Sequence, residues 1–326
     1  MHRCKVVSSK HRVMIDDQMY QSMCAKICQP VFSDRLRMAK ESITQHDFDE
    51  EVRIYQESFT LPMRRNMFGL LTIPVYINHV LCHFIVDTGA QISGIRSTTI
   101  EKVGACPTKG KLDVGSIGGK EKSMQGYRAK ELQIGGLAYL NKAMIVLDQE
   151  QFSIEFSLGF ASVDLMNFDG ILGWDILSTL DFEMDDIAHE FRVLKNVYKF
   201  PTTNMVPGSF PVFLCKNTKG NVALFGFDSG SKVSWLSEAY IEKENVSIVA
   251  SGDALGFGVH GMEKLPMKIV DELVVYLDRA KITLKDTMTG RCHLFENFTF
   301  DGVLGNQIFK GRRIRIVNSK NVVLLV

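Results

Sequence analysis

Two stretches of the chain end an apolar run in the same way. The sequence "HFIVDTGAQISGI" spans His83–Ile95, and "FGFDSGSKVSWL" spans Phe225–Leu236. In both, a carboxylate, Asp87 or Asp228, is followed by a hydroxyl side chain and then by a glycine. One Asp-(Ser/Thr)-Gly triplet arises by chance in roughly one chain in several of this length. The information therefore lies in the repetition.

The repetition extends beyond the triplets. When the two aspartates are set in register, Phe84 falls on Phe225 and Ser93 falls on Ser234. Each half then passes through a glycine-rich stretch, "VGSIGGK" or "LGFGVHG", and reaches a further matched motif, "FDGILGWDIL" or "FDGVLGNQIF". Three features that recur in the same order indicate a tandem duplication. We place its halves at residues 63–200 and 201–326.

The bulk composition is that of a globular protein of about two domains. The chain has 326 residues, of which 45% are hydrophobic and 23% charged, so it can bury sizeable cores. Its formal net charge of +1 argues against a generally basic nucleic-acid-binding surface. The most membrane-like run, Gly69–Val86, is interrupted by Pro74, Asn78 and two histidines. This run is predicted to be a β-hairpin rather than a membrane-spanning helix.

The cysteines indicate the cellular compartment. The 7 cysteines are scattered, with no Cys-x-x-Cys pair and no cluster with histidine, so the sequence predicts no metal site and no cofactor. An odd, unclustered set fits a reducing compartment. The N-terminal stretch has charges throughout and no apolar core, so no secretory signal is expected. We predict a cytoplasmic protein.

Two kinds of pattern divide the chain. Up to about Thr60 the apolar residues have helix-like spacing, including the run from Asp47 to Phe59. Residues 1–62 are therefore predicted to form an α-helical N-terminal extension. From residue 63 onwards, short β-rich runs such as "KAMIVLD" and "NVALFGF" are punctuated by glycine. The predicted fold class is mainly β, with the helical extension added.

The duplicated pattern suits a particular chemistry. An apolar strand that runs into Asp-(Thr/Ser)-Gly places a carboxylate at the rim of a core, and the glycine lets another backbone come close. If the two halves meet face to face, Asp87 and Asp228 come together. Two carboxylates within hydrogen-bond distance do not both ionise readily, so they share one proton. Such a pair holds an acid and a base at once, which is what activating water against a carbonyl group requires.

The paired motifs resemble those of the aspartic proteases. "FIVDTGA" with "FDGILG", and "FGFDSGS" with "FDGVLG", are similar to the active-site loop and ψ-loop motif of that family. "SIGG" at Ser116–Gly119, and Ala90 after the first triplet, resemble the retroviral branch. The resemblance covers roughly residues 63–326. It implies a single-chain, two-lobed, retropepsin-like protease of the bacterial cytosolic kind, with two β-barrel lobes related by a pseudo-twofold axis.

The resemblance implies a role for each matched residue. Asp87 and Asp228 would be the catalytic pair of an aspartic endopeptidase. Glycine-rich flaps at 114–119 and 256–261 would close over an extended peptide. The residues that would lock the two catalytic loops together are Thr88, Gly89, Ser229 and Gly230. The flap and substrate-binding residues would be Ser116, Ile117, Gly118, Gly119, Phe257 and Gly258.

Two departures from the family pattern lead to further expectations. Neither flap has a tyrosine at its tip of the pepsin type, and Tyr127 is not assigned a place. After the two triplets, Ala90 stands where the second half has Ser231. A hydroxyl at 231 is expected to stabilise an ionised Asp228, which makes Asp87 the expected proton holder. Activity is expected at mildly acidic to near-neutral pH.

Other acidic residues are given structural roles. Asp169 and Asp301 precede the second motif of each half and are expected to act in turns or caps. Asp175, Asp185 and Asp186 are expected to lie on the solvated surface.

Three function classes stay open. The first is an active aspartic endopeptidase, and the second is a catalytically silent peptide-binding or scaffold protein on the same fold. The third is a phosphotransferase of the actin and sugar-kinase kind, whose phosphate loops also contain Asp-x-Gly-(Ser/Thr). That class does not predict the "FDGILG" and "FDGVLG" partners. The expected partner is a peptide or protein substrate, with no nucleic acid and no membrane.

The first 60 residues admit several interpretations. They are read first as a brace on the first lobe or a module that binds a partner or mediates dimerisation. Second, they are read as a prosegment lying across the cleft.

Overall fold

The computed structural model describes residues 50–115, 121–147, 153–155, 162–164, 167–195, 203–206, 208, 210–258, 261–290 and 300–326. In this part of the chain the structure is mainly β, as predicted. Its strands form three larger sheets and one two-stranded hairpin. Within the described ranges, no helix has the length and apolar character needed to cross a bilayer.

The first sheet carries Asp87. Its strands are β1 (Glu51–Ile54), β3 (Arg64–Arg65), β4 (Leu71–Ile77), β5 (Val80–Val86), β6 (Gly94–Arg96), β7 (Cys106–Gly115), β8 (Glu121–Ile134), β9 (Leu137–Leu147) and β12 (Gly170–Leu172). Their order is β1-β9-β6-β12-β5-β4-β8-β7, with β3 on β4. Strand β8 also pairs with β9, so the strands from β9 to β8 in this order form a closed circuit. The hairpin of β10 (Ser153–Glu155) and β11 (Ser162–Asp164) lies outside this sheet.

The second sheet carries Asp228. Its strands are β15 (Met205–Val206), β16 (Val212–Asn217), β17 (Val222–Asp228), β18 (Trp235–Leu236), β19 (Ile248–Gly258), β20 (Gly261–Val270), β21 (Leu273–Leu277), β22 (Ala280–Leu284), β23 (Met288–Thr289) and β24 (Gly302–Gly305). Their order is β19-β20-β23-β18-β24-β17-β16-β21-β22, with β15 on β16.

A third sheet joins strands from distant parts of the chain. Its strands, in chain order, are β2 (Phe59–Pro62), β13 (Asp181–Asp185), β14 (Glu190–Val193), β25 (Arg313–Val317) and β26 (Val322–Leu325). They lie in the order β2-β14-β13-β25-β26. In β25, Ile314 and Ile316 are buried, while Arg313 and Arg315 are partly exposed. This is the alternation of a strand with one covered face.

Helices are few and short in the described ranges. They are α1 (Ser97–Val103), α2 (Trp174–Leu177), α3 (Glu238–Glu244) and the 3-10 turns Asn306–Phe309 and Asn318–Lys320. Helix α1 follows β6, and α3 follows β18 in the same way. Ser237 caps the N-terminus of α3, where its side chain accepts from the N–H of Tyr240. Asn245, with φ 55°, caps the C-terminus.

The strands that lead to the two aspartates have matching neighbours. Strand β5 is antiparallel to β4 and parallel to β12, with Phe84 opposite Gly170. Strand β17 is antiparallel to β16 and parallel to β24, with Phe225 opposite Gly302. In both sheets the third strand then pairs antiparallel with the strand that follows the aspartate, β6 or β18. The two halves therefore use the same local pairing to present their aspartates.

The predicted hairpin between Gly69 and Val86 is confirmed as strands β4 and β5. Ile77 lies opposite Val80, so the turn contains only Asn78 and His79. Both turn residues have positive φ, 48° and 67°, as a tight hairpin turn of this hand requires.

The prediction of a helical extension is wrong for residues 50–62. This segment contains β1 and β2, although the run from Asp47 to Phe59 has helix-like spacing. Strand β1 is exposed along its whole length and is held by its pairing with β9, Glu51 to Leu140 and Ile54 to Leu137. Pairing with a distant strand has overridden the local pattern. Residues 1–49, the rest of the predicted extension, lie outside the described residues.

The third sheet supplies a test of what holds the two halves together. Phe182 of β13 and Phe191 of β14 are fully buried and stack with ring centroids 5.4 Å apart. Phe182→Ala is expected to lower the free energy of unfolding by about 3–5 kcal/mol, because it removes a large buried ring and leaves a cavity. Urea unfolding measures the change. Ile187→Ala, at a side chain 67% exposed, is the control and is expected to be nearly neutral.

Candidate active site

Asp87 stands directly after β5, at the edge of the first sheet. Its backbone N–H donates to the carbonyl of Leu172 in β12 at 3.0 Å, which fixes where the loop leaves the sheet. Its carboxylate Oδ1 accepts from the N–H groups of Gly89 at 2.8 Å and Ala90 at 3.0 Å. The turn of the triplet therefore holds the carboxylate by its own backbone.

Asp228 is held in a similar way at the end of β17. Its Oδ1 accepts from the N–H of Gly230 at 2.8 Å. The carboxyl groups of Asp87 and Asp228 are hydrogen-bonded to each other across the two loops. Both residues keep part of their surface exposed. The structure thus brings the two sequence-predicted aspartates together, and neither is completely buried.

The glycines of the triplets are needed because each loop approaches the opposite carboxyl group. A Cβ on Gly89 would stand 2.5 Å from Cγ of Asp228, and a Cβ on Gly230 would stand 2.5 Å from Oδ2 of Asp87. Both distances are far below van der Waals contact. Any larger residue in either turn would push the two carboxyl groups apart.

Four buried hydrogen bonds tie the two loops. The hydroxyl of Thr88 donates to the carbonyl of Phe227 at 2.7 Å and accepts from the N–H of Ser229 at 2.9 Å. The hydroxyl of Ser229 donates to the carbonyl of Val86 at 2.8 Å and accepts from the N–H of Thr88 at 3.0 Å. Both side chains are fully buried. Each hydroxyl uses its proton and a lone pair, so the exchange is reciprocal and fixes the loops relative to each other.

The second motif of each half packs behind these loops. A Cβ on Gly173 would meet the backbone of Ile92 at 2.7 Å, and one on Gly305 would meet the backbone of Val233 at 2.7 Å. Directly after these glycines, the N–H of Trp174 donates to Ala90 and that of Asn306 donates to Ser231, each at 2.7 Å.

Two serines support both motifs and were matched only as part of the repeat. The hydroxyl of Ser93 accepts from the N–H of Gly173, and that of Ser234 accepts from the N–H of Gly305, each at 3.0 Å. The sequence signal for these residues was their equal spacing from the two aspartates, and it gave no indication of their role.

Asp169 and Asp301 cap strands, in agreement with the expectation. Asp169 accepts from the N–H of His83 at 2.8 Å, and Asp301 accepts from the N–H of Leu224 at 2.7 Å. Each carboxylate thereby fixes the start of the parallel strand pair that leads to the loop of Asp87 or Asp228.

The surface assignment of three aspartates is wrong. Asp175 forms a buried ion pair with Lys142, Asp185 pairs with Arg192, and Asp186 pairs with Arg65. Lys142 and Arg65 are distant in sequence from their partners, and Arg192 lies on β14, the strand that pairs with the strand of Asp185, so no pattern of neighbouring residues predicts these contacts. Burial alone would raise the pKa of Asp185, but the N–H groups of residues 187 and 188 and the Arg192 guanidinium lower it on balance.

Burial raises the pKa of both catalytic candidates. For Asp87, the N–H groups of Ala90 and Gly89 and the bond from Asp228 act against the increase. For Asp228, the charge and hydrogen bond of Asp87 add to burial, so its pKa stands well above the usual range. The pKa of Asp228 is therefore raised further than that of Asp87, which favours Asp228 as the holder of the shared proton, whereas Asp87 was the expected holder. The Ser231 hydroxyl donates to the carbonyl of Val233 at 2.8 Å instead of to the carboxylate.

The predicted flaps fall at the ends of two long hairpins. Strands β7 and β8 remain paired up to Gly115 and Glu121. The predicted residues between them, Ser116, Ile117, Gly118 and Gly119, lie outside the described residues. Phe257 and Gly258 are the last residues of β19, opposite Met262 and Gly261 of β20. The backbone of these two residues is described, but their side chains are not.

Tyr127, which had no assigned place, lies in β8. With helix α1 and neighbouring strands it lines a cavity of about 510 Å³, whose lining includes neither aspartate. Among the residues that the structure describes, no group of three or more His, Cys, Asp or Glu side chains is arranged to hold a metal ion.

The hydroxyl exchange between the loops can be tested at Thr88. Thr88→Val keeps the shape but leaves the buried Phe227 carbonyl and Ser229 N–H without their partner. The free energy of unfolding is expected to fall by about 3 kcal/mol or more. Thr88→Ser retains the hydroxyl, so its free energy of unfolding is expected to fall much less. Chemical denaturation of the three proteins at one pH compares them, and equal stability of the two variants would contradict the assigned bonds.

The raised pKa of Asp228 predicts a pH-dependent stability. A carboxyl group that holds its proton more tightly in the folded state stabilises that state at acid pH, and this contribution is lost as the pH rises through the folded-state pKa. Asp228→Asn keeps a neutral side chain at every pH. We therefore expect the variant to match the wild type near pH 4 and to be more stable than it at pH 7, by about 1.4 kcal/mol for each unit of raised pKa.

Urea unfolding at the two pH values measures this difference. Contributions of opposite sign, such as that of Asp185, are present in both proteins and cancel in the comparison. A stability difference that does not change with pH would contradict a shared proton at Asp228.

Two comparisons with known proteins match part of the chain. Residues 73–176 match the model of a family described as "Aspartyl protease". Among solved structures, a retropepsin-like aspartic protease from Rickettsia conorii is similar at 19% sequence identity, covering 45% of this chain and 94% of that one, with a TM-score of 0.26. No curated protein matches the chain. The chain is thus similar to the aspartyl protease family over residues 73–176, which include Asp87 and the first "FDGILG" motif.

Proposed function

We propose that the protein is an aspartic endopeptidase that hydrolyses peptide bonds with a water activated by Asp87 and Asp228. The observation that carries the proposal is the hydrogen bond between the two carboxyl groups, on loops tied by four buried hydrogen bonds. Such a pair offers one base and one acid within reach of the same small molecule. The family match over residues 73–176 supports the same reaction class.

The proposed reaction divides the roles according to the pKa values. Ionised Asp87 takes a proton from a water held between the carboxyl groups, and the water oxygen bonds to the peptide carbonyl carbon. Protonated Asp228 gives its proton to the carbonyl oxygen, which forms a neutral tetrahedral diol. Asp87 then passes its proton to the nitrogen, the C–N bond breaks, and one diol hydroxyl returns a proton to Asp228. The cycle ends with the dyad in its starting state.

The two long hairpins are proposed as flaps. Strands β7–β8 and β19–β20 extend from the two catalytic sheets. An extended peptide lying between the hairpins and the dyad would add as a strand and present its carbonyl group to the water. The matching strand pairs around Asp87 and Asp228 support a fused, two-lobed architecture that arose by duplication.

The compartment is part of the proposal. Within the described part of the chain, Cys82, Cys106 and Cys215 are all free, and the first and third are buried. Burial raises the pKa of Cys82 to about 11, so this thiol stays protonated and unreactive near neutral pH. Free buried thiols fit the proposed reducing, cytoplasmic environment.

A silent peptide-binding protein on the same fold is the alternative. It would keep both aspartates and the loop hydrogen bonds without turnover. A phosphotransferase is less suited to this site, because carboxylates that serve a metal-bound nucleotide must both be ionised, whereas these two share a proton.

The test is cleavage of an unbiased peptide library between pH 4 and 8, with pepstatin in a parallel reaction. Wild type is expected to cleave, and Asp87→Asn and Asp228→Asn are each expected to lose about 10³-fold or more of kcat, because neither retains both an acid and a base. Asp271→Asn, at an exposed aspartate outside the site, is the control and should cleave normally.

Each other outcome has a meaning. Cleavage that survives in both dyad variants would exclude the proposed mechanism. Binding of peptides without cleavage by the wild type would favour the silent alternative. Mass spectrometry of the same samples shows whether the chain trims itself near Phe59–Phe68, as the prosegment interpretation requires.

A further inference from the structure

Residues 50–65 pair with two of the three larger sheets, the first and the third. Strand β1 pairs with β9 of the first sheet, β2 pairs with β14 of the third sheet, and β3 pairs with β4. We call residues 50–65 the strap. Its two ends carry the side chains Glu50 and Arg65, and each makes contacts that lead inwards to a catalytic loop.

The first end contacts a buried ion pair. The Nζ of Lys142 lies 3.2 Å from Oε2 of Glu50 and 2.9 Å from Oδ2 of Asp175. The side chains of Lys142 and Asp175 are only 3% and 2% exposed, and that of Glu50 is 28% exposed. Burial acts to lower the pKa of Lys142, but the charges of Asp175 and Glu50 outweigh it and raise that pKa, so the ammonium group stays charged.

Asp175 continues from this ion pair to the Asp87 loop. Its Oδ1 accepts from the hydroxyl of Ser93 at 2.7 Å and from the N–H of Ser93 at 2.9 Å. The preceding residue, Trp174, donates its N–H to the carbonyl of Ala90, whose own N–H holds the Asp87 carboxylate. Asp175 is therefore connected to both ends of the loop that carries Asp87.

In the second half, the corresponding serine is held by a neutral side chain. Gln307 occupies the position that corresponds to Asp175, and its side-chain amide donates to the hydroxyl of Ser234 at 3.0 Å. An amide needs no counter-ion when it is buried, whereas a carboxylate does. The lysine, and with it the contact to Glu50, is thus required only where the sequence has Asp175.

The second end of the strap reaches the Asp228 loop. The guanidinium of Arg65 donates to Oδ1 of Asn306 at 3.1 Å and pairs with Asp186 at 2.7 Å. Asn306 is buried, and its side-chain amide donates to the carbonyl of Ser229 at 3.2 Å. Arg65 also lies over the ring of Phe309, with its Cζ 5.8 Å from the centroid.

We propose that the strap is a positioning element for both catalytic loops, fastened to the Asp87 loop through Glu50, Lys142 and Asp175 and to the Asp228 loop through Arg65 and Asn306. These side chains act through the loops and touch neither substrate nor the reacting water. The inference rests on the proposed function, since positioning affects turnover only if the dyad is catalytic. It deepens that function by naming residues outside the site on which the dyad's geometry depends.

The first experiment is a cycle of variants made in the full-length chain. Lys142→Met alone leaves Asp175 buried without its counter-ion, so the melting temperature is expected to fall by about 10 °C. Misplacement of the Asp87 loop is expected to lower kcat by about tenfold or more with little change in KM. Adding Asp175→Asn removes the unpaired buried charge and gives a neutral arrangement like that of the second half. The double variant is expected to recover most of the melting temperature and most of kcat.

Glu50→Gln then tests whether the strap is coupled to this pair. In the wild-type background it is expected to lower kcat about threefold, and in the Lys142→Met/Asp175→Asn background to have no effect, because the partner charge has gone. Lys195→Met is the control, since it removes an ion pair with Glu57 of the strap in which the two side chains are 60% and 61% exposed. Equal effects of Glu50→Gln in the two backgrounds would overturn the coupling.

The second experiment addresses the other end. Arg65→Met is expected to lower kcat at unchanged KM, whereas Arg53→Met, which removes an exposed pair with Glu51 on the same strap, is expected to change neither. An Arg65→Met protein with wild-type kcat would overturn this part of the proposal.

A readout without peptide cleavage separates this inference from the proposed function. Amide hydrogen exchange at Ser93 and Gly173 is expected to quicken in Lys142→Met and to recover in the double variant, whether or not the wild type cleaves peptides. If the wild type is inactive and the exchange pattern appears, the strap stands and only the endopeptidase proposal fails. If exchange at these amides is the same in every variant, the strap is not a positioning element.

Discussion

The arrangement of the site depends on the repulsion between two carboxylates. Asp87 and Asp228 can stay in hydrogen-bond contact only with one proton between them, and separation is favoured as soon as both ionise. The surrounding structure resists that separation. Glycines allow the close approach, backbone N–H groups hold each carboxylate, and the hydroxyl exchange between Thr88 and Ser229 binds one loop to the other. Burial then sets how strongly the proton is retained.

Much of the site was predictable because its requirements are local. A strand that ends in Asp-(Thr/Ser)-Gly and a later Leu-Gly are short patterns, and their duplication made the pairing of Asp87 with Asp228 readable. What the sequence concealed depends on contacts between distant residues. The β1 strand is fully exposed, so it exists through its pairing with β9 rather than through its own pattern. Asp175 is a charged residue that the local sequence suggests is exposed, yet its side chain is buried in an ion pair with Lys142 of β9. The Ser231 hydroxyl, which was expected to stabilise an ionised Asp228, donates instead to the carbonyl of Val233.

The two halves show that equal geometry does not require equal chemistry. Both position a serine hydroxyl behind the Leu-Gly motif, one with a carboxylate and the other with an amide. The amide version is self-sufficient, while the carboxylate version brings a buried lysine with it. Two matching loops in one chain do not have to be identical. One half can acquire contacts to a neighbouring segment while the other keeps a neutral support.

The third sheet affects the stage of synthesis and folding at which Asp87 and Asp228 can come together. Its central strand β13 lies between β14 and β25, and β25 and β26 follow both aspartates in the chain. A ribosome therefore releases Asp87 long before the strands that complete the sheet between the halves. Contacts of such long sequence separation form late in folding. Until then each aspartate is an ordinary solvated carboxylate, without the neighbour that raises its pKa, so the proposed acid–base pair does not yet exist.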